Sequence, residues 1–290
     1  MEKEIKSRKS IFEILEEQYD FNKEFQKISY LFNCNMVNRI GYGYPIEWFV
    51  NKIFHDWKAR GSCINCADMR RELEIDTITK LEKPSFDQII LCLEYYVNIL
   101  FVFVKKCLPL TKDFETSNDL LILQRNINIL IEHMNFTRHI VAEEEKIILI
   151  PNNPAVISVA ETAPKNIAFA ILKYNHASLN GQLEEKRKLL HSIANEYEAL
   201  LDNPTNGFSE YFKTVRGLLN NLNIRHNNND GKNQNNLIKN MSPQELENNY
   251  DELYQLLLFC ILTKDNSNRK KVADELLKKI KDTATVNPKV

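Results

Sequence analysis

Apolar residues recur at helical spacing along most of the chain. Phe21, Phe25, Ile28 and Phe32 stand at i, i+4, i+7 and i+11, one face of a helix. The stretch NCNMVNRIGYGYP that follows reads as a loop, and Pro45 at its end suits the first turn of a new helix. That helix, IEWFVNKIFHDWKA, carries Trp48, Ile53 and Trp57 and stops at Gly61. A short helix is predicted over 67–73. Ser85-Phe86-Asp87-Gln88 forms a capping box that opens a strongly apolar helix reaching about Cys107, where Leu108-Pro109 ends it. A further helix spans roughly 117–133.

The pattern then changes. RHIVAEEEKIILI, 138–150, is two short β-branched runs around an acidic turn, which predicts a hairpin. Helical spacing returns over 163–174. It continues in a long amphipathic segment with Leu183, Leu190, Ile193, Tyr197 and Leu201 on one stripe, and again over 208–222. The run 223–240 is a loop by composition. Ser242-Pro243-Gln244-Glu245 restarts a helix whose apolar face is Leu246, Tyr250, Leu253, Leu257 and Ile261. A separate last helix, RKKVADELLKKIKD, has a stripe of Val272, Leu276 and Ile280. The expected fold is mainly α, two helical domains with a small β-hairpin between them: 1–137, then 138–290 with the hairpin at its start.

Composition narrows the classes. Among 290 residues Lys+Arg is 38 and Asp+Glu 39, a net charge of -1, which excludes a globally basic nucleic-acid coat but not a local basic patch. Seven glycines and nine prolines are too few for a β-sandwich full of tight turns, and neither GxGxxG nor GxxxxGK[ST] occurs. The first twenty residues are amphipathic, without the apolar run of a secretory signal. Ile89 to Val104 falls short of the ~18 residues of a membrane span, and Glu94 and Asn98 interrupt it, so a buried core helix and no membrane contact are expected. Six scattered cysteines and no export signal point to reduced thiols and a cytoplasmic location.

The densest chemistry lies in NIRHNNND, 223–230. Arg225 supplies fixed cationic donors for a phosphate, and His226 can move a proton near neutral pH. Asn227, Asn228 and Asp230 can position substrate. Together they suit metal-independent cleavage of a phosphodiester, although the commoner role of such a polar loop is to cap helix ends and turns. Asn175 and His176 in KYNHASLNG, at another helix junction, could face the same cleft, with His176 as a second proton carrier. The simpler reading is that Asn175 or Ser178 caps this junction and His176 packs in it. Cys63-Ile64-Asn65-Cys66 has the spacing of half a zinc site and lacks a second half. His55-Asp56 reads as a surface or partly buried pair, and Arg125 and His133, about two turns apart, either share a helix face or belong to a simply solvated one. No metal and no cofactor are expected.

Four phrases in order, KIILIPNNPAVISVAE, ILKYNHASLNGQLEEKRKLLHSIANEYE, LLNNLNIRHNN and SPQELENNYDELYQLLLFCIL, resemble the C-terminal half of AbiJ-related abortive-infection proteins of bacteria, over roughly 138–265. The N-terminal helices are similar to the HEPN-type domain that often precedes it. The resemblance implies phage defence, RNA as the target, and a homodimer or a partner protein of a defence system. Arg225, His226, Asn227 and Asn228 match the family's RHNN phrase, and Asn175 and His176 its YNH phrase. HEPN ribonucleases place four to six residues between an Arg and a His. Here Arg125 and His133 have seven between them, Arg187 and His191 three, and Arg225 and His226 none. The expected function is thus an antiviral protein that binds or cleaves RNA, with a non-catalytic sensor or scaffold module as the alternative.

Overall fold

A computed structural model describes residues 19–39, 42–110, 115–116, 118–203, 207–225, 238 and 240–286. The fold is mainly α, and the chain divides into two compact units, Met1–Leu149 and Ile150–Val290.

In the first unit, α1 (Phe21–Phe32) opens on Asp20, whose Oδ1 accepts from the Asn22 and Lys23 N–H groups. Of the predicted stripe, Phe25, Ile28 and Phe32 are buried and Phe21 is half-buried, and Phe32 stacks on Tyr96 at 4.2 Å. The segment expected to be a loop contains two strands, β1 (Val37–Arg39) and β2 (Tyr42–Tyr44), paired antiparallel with Val37 opposite Tyr44. β1 pairs on its other side with β3 (Glu115–Thr116). Strands of three residues are too short for an alternating pattern to show, and the second partner of β1 is distant in sequence.

Helices α2 (Ile46–Ile53), α3 (Cys66–Glu72) and α4 (Ile75–Ile78) lead to α5 (Phe86–Val102). Ser85 and Gln88 close the capping box on α5. The helix continues as a π-helical turn, Phe103–Cys107. By length and composition Phe86–Leu110 could cross a bilayer, and 67% of its most apolar window is buried inside the protein. α6 (Asn118–His133) packs on α1 and α5.

The predicted hairpin forms from β4 (Phe136–Val141) and β5 (Lys146–Pro151). Its free edge is met by α5. The Asn98 side-chain amide donates to Ile147 O (2.7 Å) and accepts from Ile147 N (2.8 Å), while the Glu94 carboxylate accepts from Leu149 N (2.6 Å). The two polar residues that interrupt the apolar run therefore replace a missing strand for three backbone groups that would otherwise lack partners.

In the second unit, α7 (Pro154–Thr162) is capped by Asn153, and α8 (Lys165–Tyr174) leads through a 3-10 turn, Ala177–Leu179, into α9 (Leu183–Glu196). Tyr197 breaks the long predicted segment, so that α10 (Glu198–Asp202) is a separate turn before α11 (Ser209–Asn221). The two helices expected after 242 are one, α12 (Pro243–Val286), 44 residues long. Nothing between its two apolar faces breaks a helix. Arg269 pairs with Asp265 (2.6 Å), and the Ser267 hydroxyl donates back to Thr263 O. α12 packs on α7, α9 and α11, and its buried face, Leu253, Tyr254, Leu257, Leu258 and Ile261, is the centre of this unit's core.

Candidate functional site

α11 positions Arg225. The helix ends with Asn223 in the left-handed region (φ 57°), and the Ile224 N–H reaches back to Leu219 O at 3.1 Å. This is the Schellman arrangement, with asparagine where glycine is commonest and with both Ile224 and Leu219 buried. Part of the asparagine-rich phrase is thus a helix cap.

α9 grips the same corner. Arg187 Nη1 donates to Asn223 O (3.4 Å), and His191 Nδ1 meets Ile224 O at 2.9 Å. A carbonyl can only accept, so Nδ1 carries the proton and Nε2 accepts from Asn195 Nδ2 (3.0 Å). The 187–191 spacing, one turn of a helix, was visible in the sequence. That it would hold the chain just before Arg225 was not.

Arg225 itself lies largely out of water, its side chain 12% exposed. Its Nη2 is 3.6 Å from Glu198 Oε1, an ion pair too long for a hydrogen bond. Among the described residues its buried Nε and Nη2 have no hydrogen-bond acceptor. A buried guanidinium in this state costs free energy that an anion with well-placed oxygens would recover. His226, Asn227, Asn228 and Asp230 lie outside the described residues.

Asn175 and His176 are engaged elsewhere. Asn175 ends α8 and donates through Nδ2 to the Tyr254 hydroxyl (2.9 Å), which in turn donates to Ile171 O (2.8 Å). The His176 ring caps the 3-10 turn: its Nδ1 accepts from Ser178 N (3.2 Å), with the Ser178 hydroxyl at 2.7 Å. An Nδ1 lone pair so used is not available as a base.

Behind them lies a polar group that the sequence reading missed. Lys186, 5% exposed at its side chain, places Nζ 2.8 Å from both Glu247 Oε1 and Asp251 Oδ1. Asp251 also accepts from the Tyr174 hydroxyl (2.9 Å), Tyr174 stacks on Tyr254 at 4.1 Å, and Glu247 accepts from Gly181 N (2.8 Å). Burial raises the pKa of both tyrosines, and Asp251 raises that of Tyr174 further. For Glu247, burial works upward, but the bonds from Lys186 and Gly181 prevail and hold it below the usual carboxylate range. Gly181 adopts φ +78°, which a Cβ would strain. The network ties α8, the turn, α9 and α12 together.

Cys63 and Cys66 are both buried, and burial pushes the Cys66 thiol up to about 12. Among the described residues no group of three or more His, Cys, Asp or Glu side chains is arranged to hold a metal. His55 and Asp56 form an exposed pair at 3.3 Å. Arg125 is exposed on α6, and His133 meets Tyr19 edge-on at 4.2 Å.

Comparison with family models, with curated proteins and with solved structures yields no match for this chain.

Proposed function

We propose that the second unit binds RNA at the corner where α9 meets the end of α11, within a cytoplasmic antiviral protein of the abortive-infection type. One observation carries the binding reading: the buried Arg225 guanidinium, with two nitrogens lacking acceptors among the described residues, at the threshold of the RHNN phrase. Arg187 and His191 brace the backbone that presents it. A phosphate would supply the missing acceptors in a charge-assisted, directional way. The resemblance of four ordered phrases to a phage-defence family supplies the antiviral context.

Binding is better supported than cleavage. His176 and His191 both spend ring nitrogens on the fold, so acid–base catalysis here would fall to His226, with Asn227, Asn228 and Asp230 as its companions. The second reading, a non-catalytic helical sensor or scaffold that acts as a homodimer or with a partner protein, is favoured by the far half of α12. There Val272, Leu276, Leu277 and Ile280 are each more than half exposed.

The test is fluorescence anisotropy with a labelled single-stranded RNA across a salt series. Wild type should bind with affinity that falls steeply as salt rises. Arg225→Gln should weaken binding about tenfold and lower the salt slope by about one. An unchanged affinity in a variant that melts like wild type would remove the binding reading. Induced expression of wild type and His226→Ala, followed by total RNA integrity, tests cleavage separately: equal RNA profiles would discard it.

A further inference from the structure

The first unit contains a hollow of about 720 Å³ between α5, α6 and the β4–β5 hairpin, within the size range of small-molecule sites. Its walls are Val97, Leu100, Phe101, Ile127, Ile140 and Ile147. The hairpin is held at β5 by Glu94 and Asn98, while on β4 Ile140 is 56% exposed. The helix wall is irregular in the same place, since Val104 and Lys105 belong to the π-helical turn. Such turns recur at functional sites.

The charged groups of the hollow are both cationic. Arg138, two residues from Ile140 and so on the same face of β4, lines it, and among the described residues no carboxylate pairs with the guanidinium. Lys105 also lines the hollow, held only loosely by Glu145 at 3.9 Å and by the Phe101 ring at 5.3 Å. Gln124 and Asn128 bring neutral amides. An apolar floor with two cations and two amides matches a molecule with a long apolar body and one anionic end.

We infer that this hollow is a binding pocket for an aliphatic monocarboxylate of the fatty-acid class. Its chain lies on Leu100, Ile127 and Ile147, and its carboxylate meets Arg138 with Lys105 alongside. The site belongs to the first unit and does not depend on the RNA reading of the second.

Isothermal titration of the full chain with decanoate, decanol and decyltrimethylammonium tests it. Decanoate should bind saturably at one per chain, decanol at least tenfold more weakly, and the cation not at all. Arg138→Gln should weaken decanoate by at least tenfold, about one charged hydrogen bond. Val104→Trp, which fills the mouth from a part-exposed position, should abolish binding while leaving the melting temperature within a few degrees. Three outcomes overturn the proposal: no saturable decanoate binding, a preference for decanol or the cation, or indifference to Arg138→Gln in a folded variant. Self-association that protects the hollow in the absence of decanoate would assign it to a second copy of the chain instead.

Discussion

Lys186 is a cation almost wholly removed from water, and its two carboxylates make that tolerable. Removing one member of a buried pair is far more costly than the pair's net contribution, because the remaining charge stays buried. Lys186→Met is therefore expected to destabilise the second unit by roughly 3–5 kcal/mol. Urea denaturation followed by far-UV circular dichroism measures it, and a loss below about 1 kcal/mol would contradict the account. The pH dependence follows from Glu247. Its folded carboxyl titrates below the unfolded one, so its stabilisation is complete above the unfolded value of about 4.3 and drains away as pH falls through the folded value. Wild type should lose stability over that acidic window, and Glu247→Gln should lose less. Parallel stability–pH curves for the two proteins would show that Glu247 is not the group responsible. In the first unit, Asn98→Ala leaves both polar groups of Ile147 without a partner, at roughly 1–3 kcal/mol for each. Hydrogen exchange at the Ile147 amide would accelerate, and an unaltered rate would rule the side chain out as its partner.

α12 outlasts the core it serves. Its buried face ends near Thr263, and the side chains of 268–281 are exposed. Deleting residues from Arg269 onward is expected to leave the melting temperature within about 2 °C, because exposed positions contribute little. If the chain dimerises along this arm, the same deletion yields monomers in sedimentation equilibrium, and an unchanged mass would place any dimer contact elsewhere. The helices of this protein were legible where period and caps agree: the Ser85–Gln88 and Ser242–Glu245 boxes open α5 and α12, and the stripe of Phe25, Ile28 and Phe32 is buried. β1 draws its second partner from residues 115–116, a contact no local window holds. The break expected before Arg269 did not occur because Asp265 and Ser267 make bonds within the helix. At the candidate site, the sequence could rank residue types but not their commitments. Asn175 and His176 were open to two readings, a cleft or a junction cap, and serve a helix end and a turn, whereas Arg187 and Lys186 lie off the apolar stripe of their segment and are nevertheless partly or wholly buried.

At the scale of the whole chain, each unit has a core of its own, and both tryptophans, Trp48 and Trp57, belong to the first. Tryptophan fluorescence therefore follows one unit, while far-UV circular dichroism follows both. If the units unfold separately, the two probes should give denaturation curves that do not coincide, which a two-state chain forbids. Lys186→Met should then shift only the dichroism component, and Asn98→Ala should move the fluorescence curve. Superimposable curves in wild type would mean that the two units melt as one cooperative body.

The pairing of α5 with β5 has a further consequence. A strand with an open rim invites foreign strands to add to it, and sheets usually guard that rim with charge, proline or a covering element. Here the guard is a carboxylate and an amide projecting from a helix, which occupy the backbone groups of Ile147 and Leu149. Loss of Asn98 would uncover the sticky side of KIILIP, so that the damaged protein clumps on warming before its helices melt.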